Sequence, residues 1–405
     1  MSGARAAITG LGAVSGYGWG VEALWRGVLS GQTAIRGFSR FDHAGYRTLV
    51  AAQVPDAPAH AAAGHGLRLS LADRFALEAV AEALAAARLP GRLDDLEAGL
   101  FFGSSTGGMW ESEEYFAGLT GPRRRARIAL LDSQQPSGPG DAVARACGVG
   151  GPVETIASAC ASATLALGAA LAALRAGEVE LALVGGSDSL CRLTYAGFNS
   201  LRAVDEVPCR PFRAERAGMS IGEGAALLVV ESESSAARRG ARVLAWLEGV
   251  GASCDAHHMT SPDPEGDGIA RAVAAALADA GTRAEAIDFV NVHGTGTPHN
   301  DAAEARMLRR VFGARAAAVP ATSTKASIGH YLGAAGAIEA LVTVLALARG
   351  LVPPTPGAGT VDGALGIDLV VGAPRAVPGA RRALSTNLAF GGANAACVLA
   401  RGETA

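Results

Sequence analysis

Two stretches of this chain are too apolar to lie on a surface. Residues 156–174 include no charge, and the run closes on Arg175. Its Ala, Leu, Ser, Thr and Gly residues favour helix but leave that helix no polar face, so it must be covered all round. Residues 326–348 repeat the pattern, with Glu339 as the single charge. Two helices that need cover on every side imply a sheet above and a sheet below them. The helical part of the first run, 159–174, is about sixteen residues and the second run is broken by Glu339, so both fall short of the roughly 18 to 20 residues a membrane span needs.

The two runs also match each other. Lys325-Ala-Ser-Ile-Gly-His-Tyr-Leu-Gly-Ala-Ala335 lies on Cys160-Ala-Ser-Ala-Thr-Leu-Ala-Leu-Gly-Ala-Ala170 without a gap, at an offset of 325 − 160 = 165, with six of eleven positions identical. Each follows a strand-like run, so the match predicts a duplication. One half, 1–245, would have Cys160 heading a buried helix; the other, 246–405, would have Lys325 and His330 heading its counterpart. No low-complexity linker divides them, so they share an interface.

Strand-like runs at 6–9, 99–103, 181–185, 225–230, 243–251, 287–292, 319–322, 367–371 and 396–399 alternate with helical patterns such as 73–88, 268–280 and 302–311. That alternation predicts an α/β protein with largely parallel sheet. With the two buried helices it gives five layers, α-β-α-β-α. Residues 31–66 and 110–151 read as loop-rich insertions above the sheets.

A length of 405 residues suffices for two cores, and 49% apolar with 18% charged residues describes a compact globular chain. The net charge of −3 excludes a general nucleic-acid binder, so an acidic partner would need a local patch. Arg123-Arg-Arg-Ala-Arg127 is the densest one. Six scattered cysteines without a C-x-x-C pair indicate free thiols in a reducing compartment. The N-terminus runs straight into a strand and is no signal peptide, so a soluble, cytoplasmic protein with no membrane span is expected.

Cys160 falls at the first turn of its helix, where free N–H groups and the helix dipole favour thiolate over thiol. A small free cysteine is equally at home as a core residue. Lys325 is the only lysine among 35 basic residues, which marks a position where a compact ammonium matters. His293 ends a strand ahead of Gly-Thr-Gly-Thr-Pro298, which aims an imidazole off the carboxyl edge of a sheet. His330 adds a second imidazole five residues after Lys325. A metal-site reading of Cys160 with two histidines lacks a clustered acidic or further thiol ligand. Thioester chemistry suits the trio better: the thiolate takes an acyl group, and the imidazoles donate to an enolate beside it. Gly391-Gly392, just past an apolar strand, either exposes backbone N–H groups as candidate oxyanion donors or makes a tight hairpin.

The ordered set Ala-Ser-Ala-Cys-Ala-Ser, His-Gly-Thr-Gly-Thr-Pro, Ser-Thr-Lys-(x)4-His-(x)2-Gly-Ala-Ala-Gly and Phe-Gly-Gly-Ala-Asn closely resembles the β-ketoacyl-acyl-carrier-protein synthases. The similarity is to the synthase II branch and its type II polyketide ketosynthase relatives. Arg210-Pro-Phe, Gly218-Met-Ser-Ile-Gly-Glu-Gly224 and His258-Met-Thr-Ser-Pro262 support it. The resemblance implies a thiolase fold and an acyltransferase, a ketosynthase of fatty-acid or polyketide biosynthesis. It implies that Cys160 accepts the acyl group, with its own N–H and that of Phe390 as the oxyanion hole. His293 and His330 would stabilise the enolate left when a malonyl thioester loses CO2. Lys325 would pair with Glu339, and Thr295 and Thr297 would hold the phosphopantetheine arm. No metal or cofactor of its own is implied, since substrates ride on acyl carrier protein. That acidic partner would meet Arg123, Arg124, Arg125 and Arg127. The family also implies a dimer, either homomeric or with a chain-length-factor-like subunit. Leu388 stands where the synthase II branch has a second Phe, and Thr106 where a bulky apolar residue lines the acyl pocket. Both departures look more like ketosynthases of polyene-type pathways, aryl polyenes included. A chain-length factor or a scaffold that only binds carrier protein would lack Cys160, His293 or His330, and none is missing.

Overall fold

The structure, a computed structural model, describes residues 4–56, 69–122 and 124–402. Five main strands carry the sheet of its first half: β1 (Ala6–Ser15), β2 (Ala98–Gly103), β3 (Val153–Ile156), β4 (Leu181–Asp188) and β5 (Gly224–Ser232). They lie in the order β1-β5-β4-β2-β3, the first two pairings antiparallel and the last two parallel. The second half has β6 (Ala245–Cys254), β7 (Phe289–Asn291), β8 (Pro320–Thr322), β9 (Arg382–Leu388) and β10 (Ala393–Arg401). Its order is β6-β10-β9-β7-β8, with the same two antiparallel and two parallel pairings, so the sheet is mixed and not largely parallel as the strand–helix alternation predicts. The half-sheets join where Ala6, Ala7 and Ile8 pair with Leu247, Trp246 and Ala245.

The helices that bear on the site are α1 (Leu71–Ala86), α2 (Met109–Thr120), α3 (Gly138–Cys147), α4 (Ser162–Ala176), α5 (Asp267–Asp279), α6 (Pro298–Phe312) and α7 (Ala335–Arg349). Both α4 and α7 pack on strands of both half-sheets and on each other. Outside them, α1 covers β1, β5 and β4, while α5 covers β6, β10 and β9 with α6 beside it. This is the five-layered arrangement expected from two helices apolar all round. In α7 every residue but the last two is buried. The outer helix α1, by contrast, exposes one face and starts with a capping box in which Ser70 and Asp73 satisfy each other's backbone N–H.

The duplication holds, but its register differs from the one the sequence match predicts. Each central helix opens with one 3-10 turn, Ala159–Ala161 and Leu332–Ala334, whose first residue has a positive φ of 44° or 50°. Each ends at a left-handed glycine, Gly177 or Gly350, so the offset is 350 − 177 = 173 rather than 165. Cys160 therefore corresponds to Gly333. Lys325 belongs to a separate one-turn helix, Lys325–Ile328, that precedes the second central helix. The six identities matched because Ala, Gly and Leu recur at the same spacing in any helix that must be small and apolar.

Two further expectations are corrected. With their 3-10 turns included, both apolar helices reach 18 residues, enough by length and composition to cross a membrane. They are core helices here, 61% and 89% buried, and owe their composition to cover by sheets on two sides. The segment 110–151 is not mainly loop, because it carries most of α2 and all of α3. Its Pro139 starts α3 and Gly148 ends it, which is punctuation rather than irregularity. In the segment 31–66, Arg36–Gly37 pairs with Val50–Ala51, and residues 57–66 lie outside the described ones.

Candidate active site

The loops that follow β3, β7, β8 and β9 converge on one point. After β3, Ala159 takes its left-handed turn and delivers Cys160 to the head of α4, 9% exposed. His293 follows β7 by two residues, and His330 follows the Lys325–Ile328 turn; both are buried. Their rings stand edge to face, 5.3 Å apart at 85°. His330 Nε2 is 3.0 Å from Cys160 Sγ, and the reactive atoms of Cys160, His293 and His330 lie within 4.8 Å of one another.

Their hydrogen bonds fix what the imidazoles can do. Leu332 N–H donates to His330 Nδ1 at 3.0 Å, and Lys325 Nζ donates to His293 Nδ1 at 2.8 Å. A neutral ring that accepts at Nδ1 carries its proton on Nε2. Burial, reinforced by the charge of Lys325, holds both imidazoles well below the usual histidine range, so they stay neutral at physiological pH. A bound ion would need lone pairs where these rings present N–H groups. In these tautomers both imidazoles are hydrogen-bond donors at Nε2.

Lys325, 2% exposed, forms an ion pair with Glu339 of α7. Burial pushes the Glu339 carboxyl up, opposed by Lys325 and by Asn387, whose Nδ2 donates at 2.7 Å. Beneath His293, Glu304 of α6 accepts from the His293 and Gly294 N–H groups at 2.8 and 2.6 Å. After β9 the backbone turns at Gly391 and Gly392, with φ of 87° and 82° that suit glycine alone. That turn presents the Phe390 N–H to the Cys160 sulfur, alongside the N–H of Cys160 itself.

Burial works against the expected thiolate. Burial pushes the Cys160 thiol up to about 11, and Lys325 with the two N–H groups only partly offsets it. A 3-10 turn inside the core supplies donors, but desolvation of the anion outweighs them. Inactivation by iodoacetamide should accordingly rise about tenfold per pH unit between pH 7 and 9. A plateau near pH 8, followed by adduct mass at Cys160, would show that the donors win instead.

A cavity of about 450 Å³ leads from this point to the surface. Thr295, Thr297, Leu388 and Phe390 line it, as do Thr260, Ser261 and Pro262, and Thr295 Oγ1 lies 2.9 Å from Thr297 Oγ1. Thr106 is not among the lining residues. Its hydroxyl and N–H both go to the buried carboxylate of Asp188, at 2.8 and 2.7 Å. Arg124, Arg125 and Arg127 are exposed on the segment after α2 and do not line the cavity; Arg123 lies outside the described residues. The cation on the cavity lining is instead Arg202, which the sequence did not single out. It sits alone after a helix with a φ of 52°, and no sequence pattern marks it.

Fold and site together place a buried cysteine and two neutral imidazoles at the inner end of one cavity. Residues 4–236 match the family model for the N-terminal domain of beta-ketoacyl synthase, and residues 244–358 match that for its C-terminal domain. Nodulation protein E of Rhizobium meliloti is 36% identical over 397 residues, spanning 96% of this chain and 98% of the relative. The 3-oxoacyl-[acyl-carrier-protein] synthase 2 of Synechocystis sp. is 34% identical over 404 residues, 96% of either chain. Among solved structures, the ishigamide ketosynthase/chain length factor superposes with a TM-score of 0.92 at 33% identity, covering 98% of this chain and 99% of that one. A type II polyketide ketosynthase in complex with its acyl-carrier protein gives 0.90 at 28% identity, covering 98% and 100%. The chain belongs to the β-ketoacyl synthase family. It is a ketosynthase, an acyltransferase of fatty-acid or polyketide biosynthesis.

Proposed function

We propose that this chain performs the decarboxylative Claisen condensation of an acyl group held on Cys160 with a malonyl thioester, both delivered on the phosphopantetheine arm of acyl carrier protein. One observation carries the reading: two Nε2–H donors and two backbone N–H donors surround a single buried thiol. In the first step the Cys160 sulfur attacks the acyl thioester, and the N–H groups of Cys160 and Phe390 hold the oxyanion. The proton of the thiol leaves with the phosphopantetheine sulfur. In the second step malonyl thioester loses CO2, and His293 and His330 donate to the enolate oxygen. The enolate carbon attacks the acyl carbonyl, the Cys160 sulfur is expelled, and a proton restores its thiol. Thr295 and Thr297 hold the arm, and no cofactor of the protein's own takes part. The division into halves at about residue 245 follows the same reading.

Within fatty-acid and polyketide chemistry we favour a polyene-type polyketide pathway. Leu388, smaller than the Phe of the synthase II branch, lines the cavity and supports that preference; Thr106, turned to Asp188, adds nothing to it. Two relatives of known structure are named as ketosynthases with a chain length factor. β3 ends the sheet, and its outer edge has no partner strand among the described residues, which suits pairing with a second chain, a copy or a chain-length-factor-like subunit. A cytoplasmic setting fits the six free cysteines.

The test is to supply acyl- and malonyl-carrier protein and follow CO2 and β-ketoacyl product. Acyl uptake without condensation would overturn the reading. Charge reversal at Arg124 and Arg125 should weaken carrier-protein substrates by about tenfold, less at higher salt, and leave pantetheine thioesters unaffected. Equal losses on both would point to folding instead of docking.

A further inference from the structure

The Asn387 amide is completely buried in β9, yet the condensation as written gives it no task. Its Oδ1 accepts from the Thr164 hydroxyl at 2.5 Å, in α4 one turn beyond Cys160. Its Nδ2 donates to Glu339 Oε2 at 2.7 Å and lies 3.3 Å from His293 Nδ1. One side chain thus touches the helix of the nucleophile, the partner of Lys325 and one of the two imidazoles. The space around it depends on a glycine in α7. A Cβ on Gly336 would sit 2.1 Å from Thr164 Oγ1 and 3.1 Å from Asn387 Oδ1.

We infer that Asn387, oriented by Thr164, is a positioning residue that sets the tautomer and ring orientation of His293 by holding donors against its Nδ1. The amide can face only one way. Turned over, its carbonyl would meet the Glu339 carboxylate, and the Thr164 hydroxyl would lose its acceptor. In the observed orientation it steadies Glu339, which in turn pairs with Lys325, whose Nζ shares His293 Nδ1. Every group on that side is a donor, so the ring proton stays on Nε2 and faces the cavity. The inference rests on the role proposed above for His293.

Asn387→Asp keeps the shape and replaces a donor with a carboxylate at about the same place. The charged or titratable groups already around His293 are Lys325, His330, Cys160, Glu304 beneath its backbone and Glu339 behind Lys325. A further carboxylate near 3.3 Å favours imidazolium, so His293 should titrate at least about one pH unit higher, by the usual effect of an opposite charge. The measurement is NMR titration of histidine-labelled protein with His293→Asn for assignment, beside the pH profile of malonyl decarboxylation. The expected result is an upward shift of both the His293 titration and the acidic limb of the profile. An unmoved His293 titration in a folded Asn387→Asp protein overturns the inference. A shifted titration with an unmoved limb keeps the inference and overturns the enolate role of His293. Thr164→Val, which removes only the orienting hydroxyl, should lower kcat about fivefold with KM unchanged, the size of one neutral hydrogen bond. Should Asn387→Asp not fold, an unchanged kcat in the Thr164→Val protein overturns the inference.

Discussion

Cys160→Ala should remove acyl loading and lower condensation by at least ~10⁴-fold while leaving the melting temperature close to that of the wild type. The fold tolerates the change because Cys160 is flanked by Ala159 and Ala161 in a turn that already packs as alanine, in front of a helix built from small residues. No other cysteine lines the cavity. Cys254, the one exposed cysteine, and the buried Cys209 and Cys397 are not among the residues that line it. Intact mass after incubation with an acyl thioester reads the loading directly. Cys160→Gln separates the two steps: it should take up no acyl group, yet still release CO2 from malonyl thioester. Decarboxylation as proposed uses the Nε2–H donors of His293 and His330 and not the sulfur. A Cys160→Ala protein that still condensed would sink the assignment of the nucleophile, whereas a Cys160→Gln protein inert towards malonyl thioester would sink only the division of labour.

The parts of this site that were legible in the sequence are those where one residue declares itself against its background. Lys325 stands alone among 34 arginines, and Cys160 and His330 interrupt runs of small apolar residues. His293 stands at the end of a strand, before glycines. The α/β layering was legible for a similar reason, since two helices without a polar face leave few ways to be covered. What escaped is what depends on backbone conformation or on distant partners. The register of the duplication is marked by the positive φ of Ala159 and Leu332 and by the left-handed caps Gly177 and Gly350, none of which a match of alanines and leucines can weigh. Asn387 sits in a motif read for its glycines, while the partners that give it meaning are 223 and 48 positions away. The burial of the Cys160 thiol escaped too. Helix position argued for thiolate, and the depth of burial that opposes it appears only once both sheets are in place.

Lys325→Arg, nominally the mildest change available, should lower turnover by about a hundredfold. The ammonium is enclosed, with Glu339 on one side and His293 Nδ1 at 2.8 Å on the other. Its own carbonyl receives the Cys209 thiol at 3.5 Å, and Gly329 N–H bonds the same oxygen at 2.8 Å, so the backbone that carries it is pinned. A guanidinium is planar and broader, and it cannot occupy that point without moving Glu339 or the imidazole. Displacing His293 by about 1 Å takes its Nε2–H off the position proposed above for the enolate oxygen, and an error of that size is enough for the predicted loss. Lys325→Ala separates charge from shape. It leaves the Glu339 carboxylate buried with Asn387 as its remaining donor, and breaking a buried pair in this way costs about 3–5 kcal/mol, so the melting temperature should fall as well as the rate. Expected, then, is an Arg variant that folds nearly as well as the wild type and works poorly, beside an Ala variant that does neither. Melting temperature, acyl loading and malonyl decarboxylation measured on all three proteins decide the matter. A stable and fully active Arg variant would mean that the solitary lysine owes its place to chance, and that the alignment of His293 does not depend on it.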